Sequence, residues 1–383
     1  MRVTDDVFYV GVDDHDIDLF EGHYIVPDGM SYNSYLINDE KIVIMDSVGE
    51  DFTEEWISKI SDIIGDRNPD YIIIQHMEPD HSGSLARFME IYPDVTIVSS
   101  LKAFRMMQNF CGDQFEERRI VVKEGDELNI GQHNLKFIMA PMVHWPEVMM
   151  TYDSTDKILF SADSFGKFGA SDSTDEWLDE ARRYYIGIVG KYGMQVQNLL
   201  KKLSCLDIAC ICSLHGPILH DDISYYLDKY DVWSSYGVEK DGILIAYTSV
   251  YGNTKKAVEI LAEKLREKEQ TVVVNDLARM DMAKAVENAF SYGKVVFATT
   301  TFNNEIFPYM NDYIHQLVSR NFQNRKVAFI ENGSWAPVAG KNMRLMLEPC
   351  KNLEYAENNI SILSSLSEEN IKSIHSLADE LCN

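Results

Sequence analysis

The chain has 383 residues, 45% of them apolar, which is enough for two or three domains with separate cores. It carries 61 acidic and 35 basic side chains, and this net charge of −26 argues against nucleic acid and anionic membranes as partners. No apolar run approaches the roughly 20 residues that span a bilayer. The N-terminal stretch has no signal-peptide core. We therefore expect a cytoplasmic protein.

Residues 1–240 are predicted to be rich in strands, with a few helices. Short apolar runs separated by polar or glycine-containing turns recur around Leu36, Ile44, Ile73, Ile97 and Ile138. The segment Asp153–Asp156 lies between two such runs and predicts a hairpin turn. The six cysteines fit neither a disulfide framework nor a Cys-x-x-Cys metal site, and Cys210 and Cys212 are predicted to be buried in a strand.

The predicted pattern of secondary structure changes near residue 241, where strands begin to alternate with amphipathic helices. Helices are predicted at Thr254–Glu267, Met282–Phe290, Met310–Arg320 and Ser367–Leu381. The runs GILIAYTS, TVVVN, KVVFATT and KVAFIEN between them predict strands. This alternation indicates a doubly wound parallel sheet. We therefore expect a two-domain α/β protein with domains at 1–240 and 241–383, joined by the short segment Tyr236–Gly242.

Four predicted strands of the first domain each end in residues that bind metals. The stretch HMEPDHSGS follows a buried run and contains His76, Glu78, Asp80 and His81. Single candidates follow three later strands, namely His144, Asp163 and His215. A lone histidine after a strand is usually structural, but four such strand ends in one domain favour a metal site. His133, His220 and His315 lack this context, and we interpret them as surface or structural residues.

Seven ligands exceed the four of a tetrahedral zinc ion, so the pattern predicts a binuclear site. The set contains imidazoles and carboxylates but no sulfur, which suits iron or manganese, while zinc remains allowed. Two divalent ions would carry +4, and the three carboxylates with one hydroxide would carry −4. The site would then be neutral, which limits the penalty of burying it.

Three loops at strand ends of the second domain predict a flavin site, and their pattern resembles that of flavodoxin, which implies flavin mononucleotide (FMN). The first loop feeds a helix N-terminus and offers backbone amides and hydroxyls to a phosphate. The second and third add aromatic side chains and exposed backbone. The predicted FMN-binding residues are Thr248, Ser249, Val250, Tyr251, Gly252, Asn253 and Thr254 in the first loop, Thr300, Thr301, Phe302, Asn303 and Asn304 in the second, and Ser334, Trp335, Ala336, Pro337, Val338 and Ala339 in the third.

These motifs together resemble the flavodiiron proteins, in which a diiron domain of the metallo-β-lactamase type precedes a flavodoxin-like domain. The stretch HxExDH, where zinc hydrolases of that superfamily have HxHxDH, places Glu78 at the distinguishing position. The segments SYNSYLI, HWPEVMMTY, SADSFG and HGPIL resemble the family as well. One departure is Glu147, where we expect aspartate.

The resemblance implies an αββα sandwich followed by a flavodoxin-like parallel sheet, with one FMN and two irons per chain. It implies that His76, Glu78 and His144 hold one iron, that Asp80, His81 and His215 hold the other, and that Asp163 bridges them.

The resemblance further implies reduction of dioxygen to water, of nitric oxide to nitrous oxide, or of both. A rubredoxin-like protein or a reduced deazaflavin would supply the electrons. The chain would form a head-to-tail homodimer or a dimer of dimers, so that each FMN faces the partner's diiron site. The alternatives are a binuclear zinc hydrolase with a flavodoxin-like module and an electron carrier with a relic metal fold. Glu78 argues against the first, and the complete ligand set argues against the second.

Overall fold

A computed structural model describes residues 1–173 and 176–382. The chain folds into two compact units, Met1–Asp231 and Val232–Asn383. The units divide nine residues before the predicted boundary, inside the helix Ile223–Ser234. The end of this helix groups with the second unit, where the backbone N–H of Gly237 donates to the carbonyl of Val232 at 2.8 Å.

The first unit is rich in strands, as predicted, and helices lie between some of them. Its strands are β1 (Val7–Tyr9), β2 (Val12–Asp14), β3 (Leu19–Phe20), β4 (Tyr24–Ile25), β5 (Met30–Tyr32), β6 (Tyr35–Asn38), β7 (Ile42–Met45), β8 (Tyr71–Ile73), β9 (Thr96–Ser100), β10 (Arg119–Val122), β11 (Glu127–Asn129), β12 (Asn134–Met139), β13 (Met149–Asp153), β14 (Ile158–Phe160) and β15 (Cys210–Cys212). Its helices are α1 (Thr53–Ile64), α2 (Pro79–Ser82), α3 (Leu85–Ile91), α4 (Leu101–Cys111), α5 (Trp177–Tyr184), α6 (Gly193–Leu203) and α7 (Ile223–Ser234), which runs on into the second unit.

Two sheets of the first unit share one apolar core. The six-stranded sheet has the order β1-β6-β7-β8-β9-β10, and the five-stranded sheet has the order β11-β12-β13-β14-β15. Buried Ile73 and Val98 of the first sheet pack in the same cluster as Phe137 and Phe160 of the second. The predicted hairpin turn Asp153–Asp156 is confirmed, because β13 and β14 pair antiparallel on either side of it. Cys210 and Cys212 are buried in β15, as predicted.

The second unit is a parallel sheet with helices between the strands. Its elements are β16 (Lys240–Tyr247), α8 (Asn253–Glu267), β17 (Val272–Asp276), α9 (Met282–Ser291), β18 (Tyr292–Phe302), β19 (Glu305–Ile306), α10 (Pro308–Ser319), β20 (Lys326–Asn332), α11 (Ala339–Met346), β21 (Glu354–Tyr355), β22 (Ile360–Ile362) and α12 (Glu368–Cys382). The strand order is β17-β16-β18-β20-β21, and β22 also pairs with β20. This order reverses between β16 and β18, which is the switch point where such sheets bind ligands.

The four helices predicted in this unit are confirmed to within two residues at each end. Helix α11 was not predicted. It has eight residues, and only Ala339 and Met343 are buried, so its apolar stripe is too short to show a helical period.

Arg325 holds the first residues of the second unit in place. It is a charged residue, yet only 2% of its surface is exposed. Its guanidinium donates to the carbonyls of Tyr236 at 2.8 Å, Gly237 at 2.9 Å and Phe290 at 2.5 Å. Burial lowers the pKa of Arg325 to about 10, so it stays charged at neutral pH. No helix in the described part of the chain is long and apolar enough to cross a membrane.

Candidate metal and flavin sites

The structure brings all seven predicted metal ligands together beyond the strand ends of the first unit. His76 and Glu78 lie in the loop after β8, and Asp80 and His81 lie in α2. Glu78 is extended, and Pro79 begins α2 immediately after it, because proline suits the first position of a helix. The other three, His144, Asp163 and His215, follow β12, β14 and β15 respectively.

The ligand atoms form two groups that Asp163 joins. In the first group, Nε2 of His76 lies 3.1 Å from Oε2 of Glu78, and Nε2 of His144 lies 3.0 Å from the same oxygen. Oδ2 of Asp163 faces this group, at 3.0 Å from Nε2 of His144.

The second group contains Asp80, His81 and His215. Nε2 of His81 lies 3.3 Å from Oδ2 of Asp80 and 3.1 Å from Nε2 of His215. The other oxygen of Asp163, Oδ1, lies 3.3 Å from Nε2 of His81. Each oxygen of Asp163 therefore faces a different group, which is the arrangement that a carboxylate bridging two cations requires.

Buried polar atoms without partners show that these residues fit metal ions. Both carboxylate oxygens of Asp80 and both of Asp163 are buried. None of these four oxygens accepts a hydrogen bond of good geometry from the described residues. A buried carboxylate without donors is unfavourable unless a cation compensates it. Two groups of such ligands, each with all ligand atoms within 4.8 Å of one another, fit two ions.

The metal-free ligands perturb one another strongly, because their charges are buried together. Burial raises the pKa of Asp80 to about 6. Burial also opposes ionisation of Glu78, but His144 and His76 outweigh it and lower the pKa of Glu78 to about 2. Burial lowers the pKa of His215 to about 3, so its imidazole is neutral and able to bind a metal.

Three residues outside the predicted set hold these ligands in place. The carboxylate of Asp46, at the end of β7, accepts hydrogen bonds from the backbone of Gln75 at 2.7 Å and of His76 at 3.3 Å. Glu147 accepts from Nδ1 of His76 at 2.8 Å, and the carbonyl of Ser31 accepts from Nδ1 of His215 at 2.7 Å. Asp46 could have been found, because it ends a predicted strand as the ligands do. The Ser31 contact uses the backbone, which leaves no signal in the sequence.

The three predicted flavin loops surround one cavity of about 580 Å³ in the second unit. This volume lies within the usual range for small-molecule sites. Of the predicted residues, the lining includes Ser249, Val250, Tyr251, Asn253, Thr254, Thr300, Thr301, Phe302, Asn303, Asn304, Ser334, Trp335 and Ala336. Asn332, Gly333 and Ser364 also line it. Ser364 follows the edge strand β22 and was missed because nothing near it resembles a binding loop.

Five predicted residues do not line this cavity, and four of them have a visible structural role. Thr248 is buried and pairs with Thr299 through their hydroxyls at 2.6 Å. Gly252 has φ +87°, a left-handed conformation that favours glycine at the turn into α8. Val338 and Ala339 donate their backbone N–H groups to Oγ1 of Thr301 at 2.9 and 3.1 Å, so they tie the second and third loops together. Pro337, the fifth, packs near Gly333.

The side chain of Ser249 stabilises the backbone of the first flavin loop. Oγ of Ser249 accepts from the backbone N–H of Gly252 at 3.1 Å and of Lys255 at 3.3 Å. The 15-residue helix α8 starts at Asn253 and directs the positive end of its dipole toward this loop. Hydroxyls, a helix N-terminus and aromatic side chains around one cavity fit a phosphate-bearing flavin.

Comparisons with known proteins identify both domains. Residues 30–216 match the family model described as ODP family beta lactamase, and residues 244–364 match that of the flavodoxin domain. An uncharacterized protein of Methanocaldococcus jannaschii is 31% identical, over 100% of this chain and 98% of the other. An anaerobic nitric oxide reductase flavorubredoxin of Escherichia coli O1:K1 is 30% identical, over 87% of this chain and 72% of the other.

A solved structure shows the same architecture over the whole chain. The flavodiiron protein from Giardia intestinalis is 26% identical and has a TM-score of 0.92, over 99% of this chain and 95% of the other. The predicted fold, a metallo-β-lactamase-like domain followed by a flavodoxin-like domain, is therefore confirmed. The predicted cofactors, FMN and two irons, are those of this architecture. The chain belongs to the flavodiiron protein family.

Proposed function

We propose that this protein reduces dioxygen to water, nitric oxide to nitrous oxide, or both, with electrons from a small redox donor. The observation that carries the proposal is the pair of ligand groups facing the two oxygens of Asp163, with Glu78 between His76 and His144. The identity to a nitric oxide reductase flavorubredoxin supports the same chemistry. Six free cysteine thiols fit a reducing compartment, and we propose the cytoplasm.

We further propose that His76, Glu78 and His144 hold one iron, and that Asp80, His81 and His215 hold the second. Asp163 would contact both, as its two oxygens face the two groups. When bound, the irons supply the redox chemistry on the substrate, and FMN supplies the electron relay.

The chain's own residues would control protons near this site. Tyr184 is buried with its ring 5.5 Å from that of His215, and burial together with the nearby Asp163 raises the pKa of Tyr184 well above its usual value. Its hydroxyl therefore keeps its proton at neutral pH. Burial and repulsion from Glu78 raise the pKa of Glu21, which is nevertheless partly open to solvent.

Anaerobic stopped-flow measurements test the proposed activity directly. The iron-loaded, FMN-loaded protein is reduced and mixed separately with dioxygen and with nitric oxide, and flavin reoxidation is followed by absorbance. We expect rapid reoxidation with at least one of the two gases. Reoxidation no faster than that of an iron-free sample with both gases would refute the proposal. Hydrolase activity of a zinc-loaded sample in the same assay series would favour the binuclear hydrolase instead.

We also propose a head-to-tail homodimer, alone or as a dimer of dimers, in which each FMN faces the partner's metal site. The support is the family resemblance, and a two-fold dimer would provide this pairing twice. Mixed dimers test it. One parent lacks the metal site (His81→Ala with Asp163→Ala). The other has a weakened FMN site (Ser249→Ala with Thr254→Ala) and is prepared free of FMN. The separated mixed dimer should recover roughly half of the wild-type activity, because one of its two pairings is intact. A mixed dimer as inactive as its parents would mean transfer within one chain.

The electron donor is proposed to dock beside the flavin cavity. A groove of about 460 Å³ next to α11 is lined by Lys341, Arg344 and Leu345, and also by Glu348. Lys341 and Arg344 also line an adjoining cavity that reaches Gly340, directly after the third flavin loop. Neither cation forms an ion pair within the described residues. Arg344 instead lies over the ring of Tyr355, at 4.2 Å from its centroid.

Charge complementarity favours an acidic donor at this groove. A chain with a net charge of −26 repels an acidic partner except where it presents free cations. The double variant Lys341→Glu with Arg344→Glu should therefore raise KM for reduced rubredoxin and weaken its salt dependence. The matched control Lys264→Glu with Lys372→Glu makes the same charge change on α8 and α12. Equal effects of both variants would show that only net charge matters.

A further inference from the structure

Glu147 is buried beside the first group of ligands but is not itself placed to contact a metal ion. It lies three residues after His144 in the loop between β12 and β13, with 2% of its surface exposed. Its Oε1 accepts hydrogen bonds from Nδ1 of His76 at 2.8 Å and from the backbone N–H of Met77 at 3.0 Å. The hydroxyl of Ser100 donates to the carbonyl of Glu147 at 3.0 Å and anchors the loop.

This contact determines which nitrogen of His76 faces the metal site. Because Nδ1 keeps its proton and donates a hydrogen bond to Glu147, Nε2 carries the lone pair. Nε2 points to Oε2 of Glu78 at 3.1 Å and to Oδ2 of Asp163 at 3.4 Å. A carboxylate behind a metal-bound imidazole both orients the ring and makes it a stronger electron donor.

Among the described residues, the two histidines of the second group lack such a carboxylate. Nδ1 of His215 faces the neutral carbonyl of Ser31 at 2.7 Å. Nδ1 of His81 is buried and has no partner within the described residues. The two ligand groups are therefore unequal, since only the group containing His76 has an additional negative charge one hydrogen bond away.

We propose that Glu147 is a positioning residue that acts through His76 and makes the iron of the first group easier to oxidise than the iron of the second. The inference rests on the proposed ligand groups. The extra negative charge stabilises the ferric ion more than the ferrous ion, because the ferric ion carries the larger positive charge. If this iron gave up one electron, to the substrate or to the oxidant of a redox titration, the proton would stay on Nδ1 of His76.

The variant Glu147→Gln separates charge from geometry. Glutamine has nearly the same shape, and its Oε1 can accept the same two hydrogen bonds, but it carries no charge. We expect two irons per chain to remain bound. The preference for ferric over ferrous iron should fall about tenfold at one iron only, which raises its one-electron potential by about 59 mV. Glu147→Ala removes both the charge and the hydrogen bonds of the side chain, so it should also lower the iron content.

The chain offers a matched control. Asp153 is buried and pairs with Nδ1 of His133 at 2.8 Å, the same contact at the same distance, but neither residue belongs to the proposed ligand groups. Asp153→Asn should leave both iron potentials at their wild-type values, because the lost charge is not next to a ligand.

The measurement is a redox titration of the iron-loaded protein followed by electron paramagnetic resonance and Mössbauer spectroscopy, without substrate. Unchanged potentials in Glu147→Gln, or an equal shift of both irons, would overturn the proposal. Glu147→Asp keeps the charge but shortens the side chain, so its potential should remain nearer to wild type than that of Glu147→Gln. The titration needs no turnover, so failure of the reductase assay alone would refute the proposed function and leave this test intact.

Discussion

The metal region and the flavin region of this protein are built in opposite ways. The metal ligands are side chains, five of which are buried, and they come from four separate strand ends. The flavin cavity is lined by three loops whose aromatic residues remain open, with Trp335 exposed by 87% and Tyr251 by 92%. Buried charges depend on each other, because removing one leaves another uncompensated. Contacts between the loops and a bound flavin are largely independent of one another. Removing one of them should therefore weaken flavin binding only in part.

The largest expected effect follows from removing Asp163, the one carboxylate that faces both ligand groups. Asp163→Ala should lower iron affinity by more than about 100-fold, beyond what loss of an outer hydrogen bond causes. Reductase activity should fall with it, while FMN content stays at one per chain. Iron and FMN are measured in the same sample by elemental analysis and absorbance. Retention of two irons would show that the groups do not act as one unit.

Loss of phosphate contacts should weaken the flavin site by degrees. Ser249→Ala and Thr254→Ala should each weaken FMN binding by about 1–3 kcal/mol, the range for hydrogen bonds to a charged group. Fluorescence titration of the flavin-free protein measures the affinity. Ser376→Ala, which removes an exposed hydroxyl on α12, is the matched control. If the double variant binds FMN as tightly as this control does, the phosphate lies elsewhere.

The pair of His133 and Asp153 tests buried charge without a proposed metal. The hydrogen bond between His133 and Asp153 raises the pKa of His133 above the ordinary value of about 6.5. The imidazolium therefore stabilises the fold fully below that value, and this contribution is lost as pH rises through the higher folded pKa. Wild type should exceed His133→Gln in unfolding free energy by about 1–3 kcal/mol at pH 6, and by less at pH 9. Urea unfolding at fixed iron content measures this difference, and a gap independent of pH would contradict the assignment.

The smallest effect is expected at Trp335. Because this side chain is so exposed, Trp335→Leu should leave the unfolding midpoint unchanged. It should weaken FMN binding by only about 0.5–1.5 kcal/mol, which is the contribution of one aromatic stacking contact. Trp335→Phe keeps an aromatic ring and should restore most of this loss. A loss above 3 kcal/mol would place Trp335 among the principal binding residues and weaken the contrast between the two regions.

The strands and the hairpin could be predicted from the sequence because each is a local pattern, and the ligand candidates were proposed from local patterns of the same kind. The parallel sheet of the second unit follows from alternating apolar runs, and the seven ligand candidates follow strand ends. The hydrogen bonds that hold the ligand side chains in place could not be predicted from local patterns. Glu147 is 71 residues from His76 in the chain, and their contact arises only when the two sheets pack.

The missed helix α11 and residue Ser364 show a second limit. Both depend on tertiary context, because α11 has only two buried residues and Ser364 enters the flavin cavity from the edge strand β22. The two compact units divide between residues 231 and 232, nine residues before the predicted boundary. The segment after α7 looks like a connector in sequence, but Arg325 bonds it to the second unit.

That contact of Arg325 has a consequence for proteolysis. Proteases cut segments that can leave the body of the protein and extend into their active sites. The carbonyls of Tyr236 and Gly237 are held by one buried guanidinium, so this stretch resists such extension. Limited digestion should therefore spare the connection and first cut elsewhere. The two halves of the chain should not be separable by a protease unless Arg325 is replaced, for example by methionine.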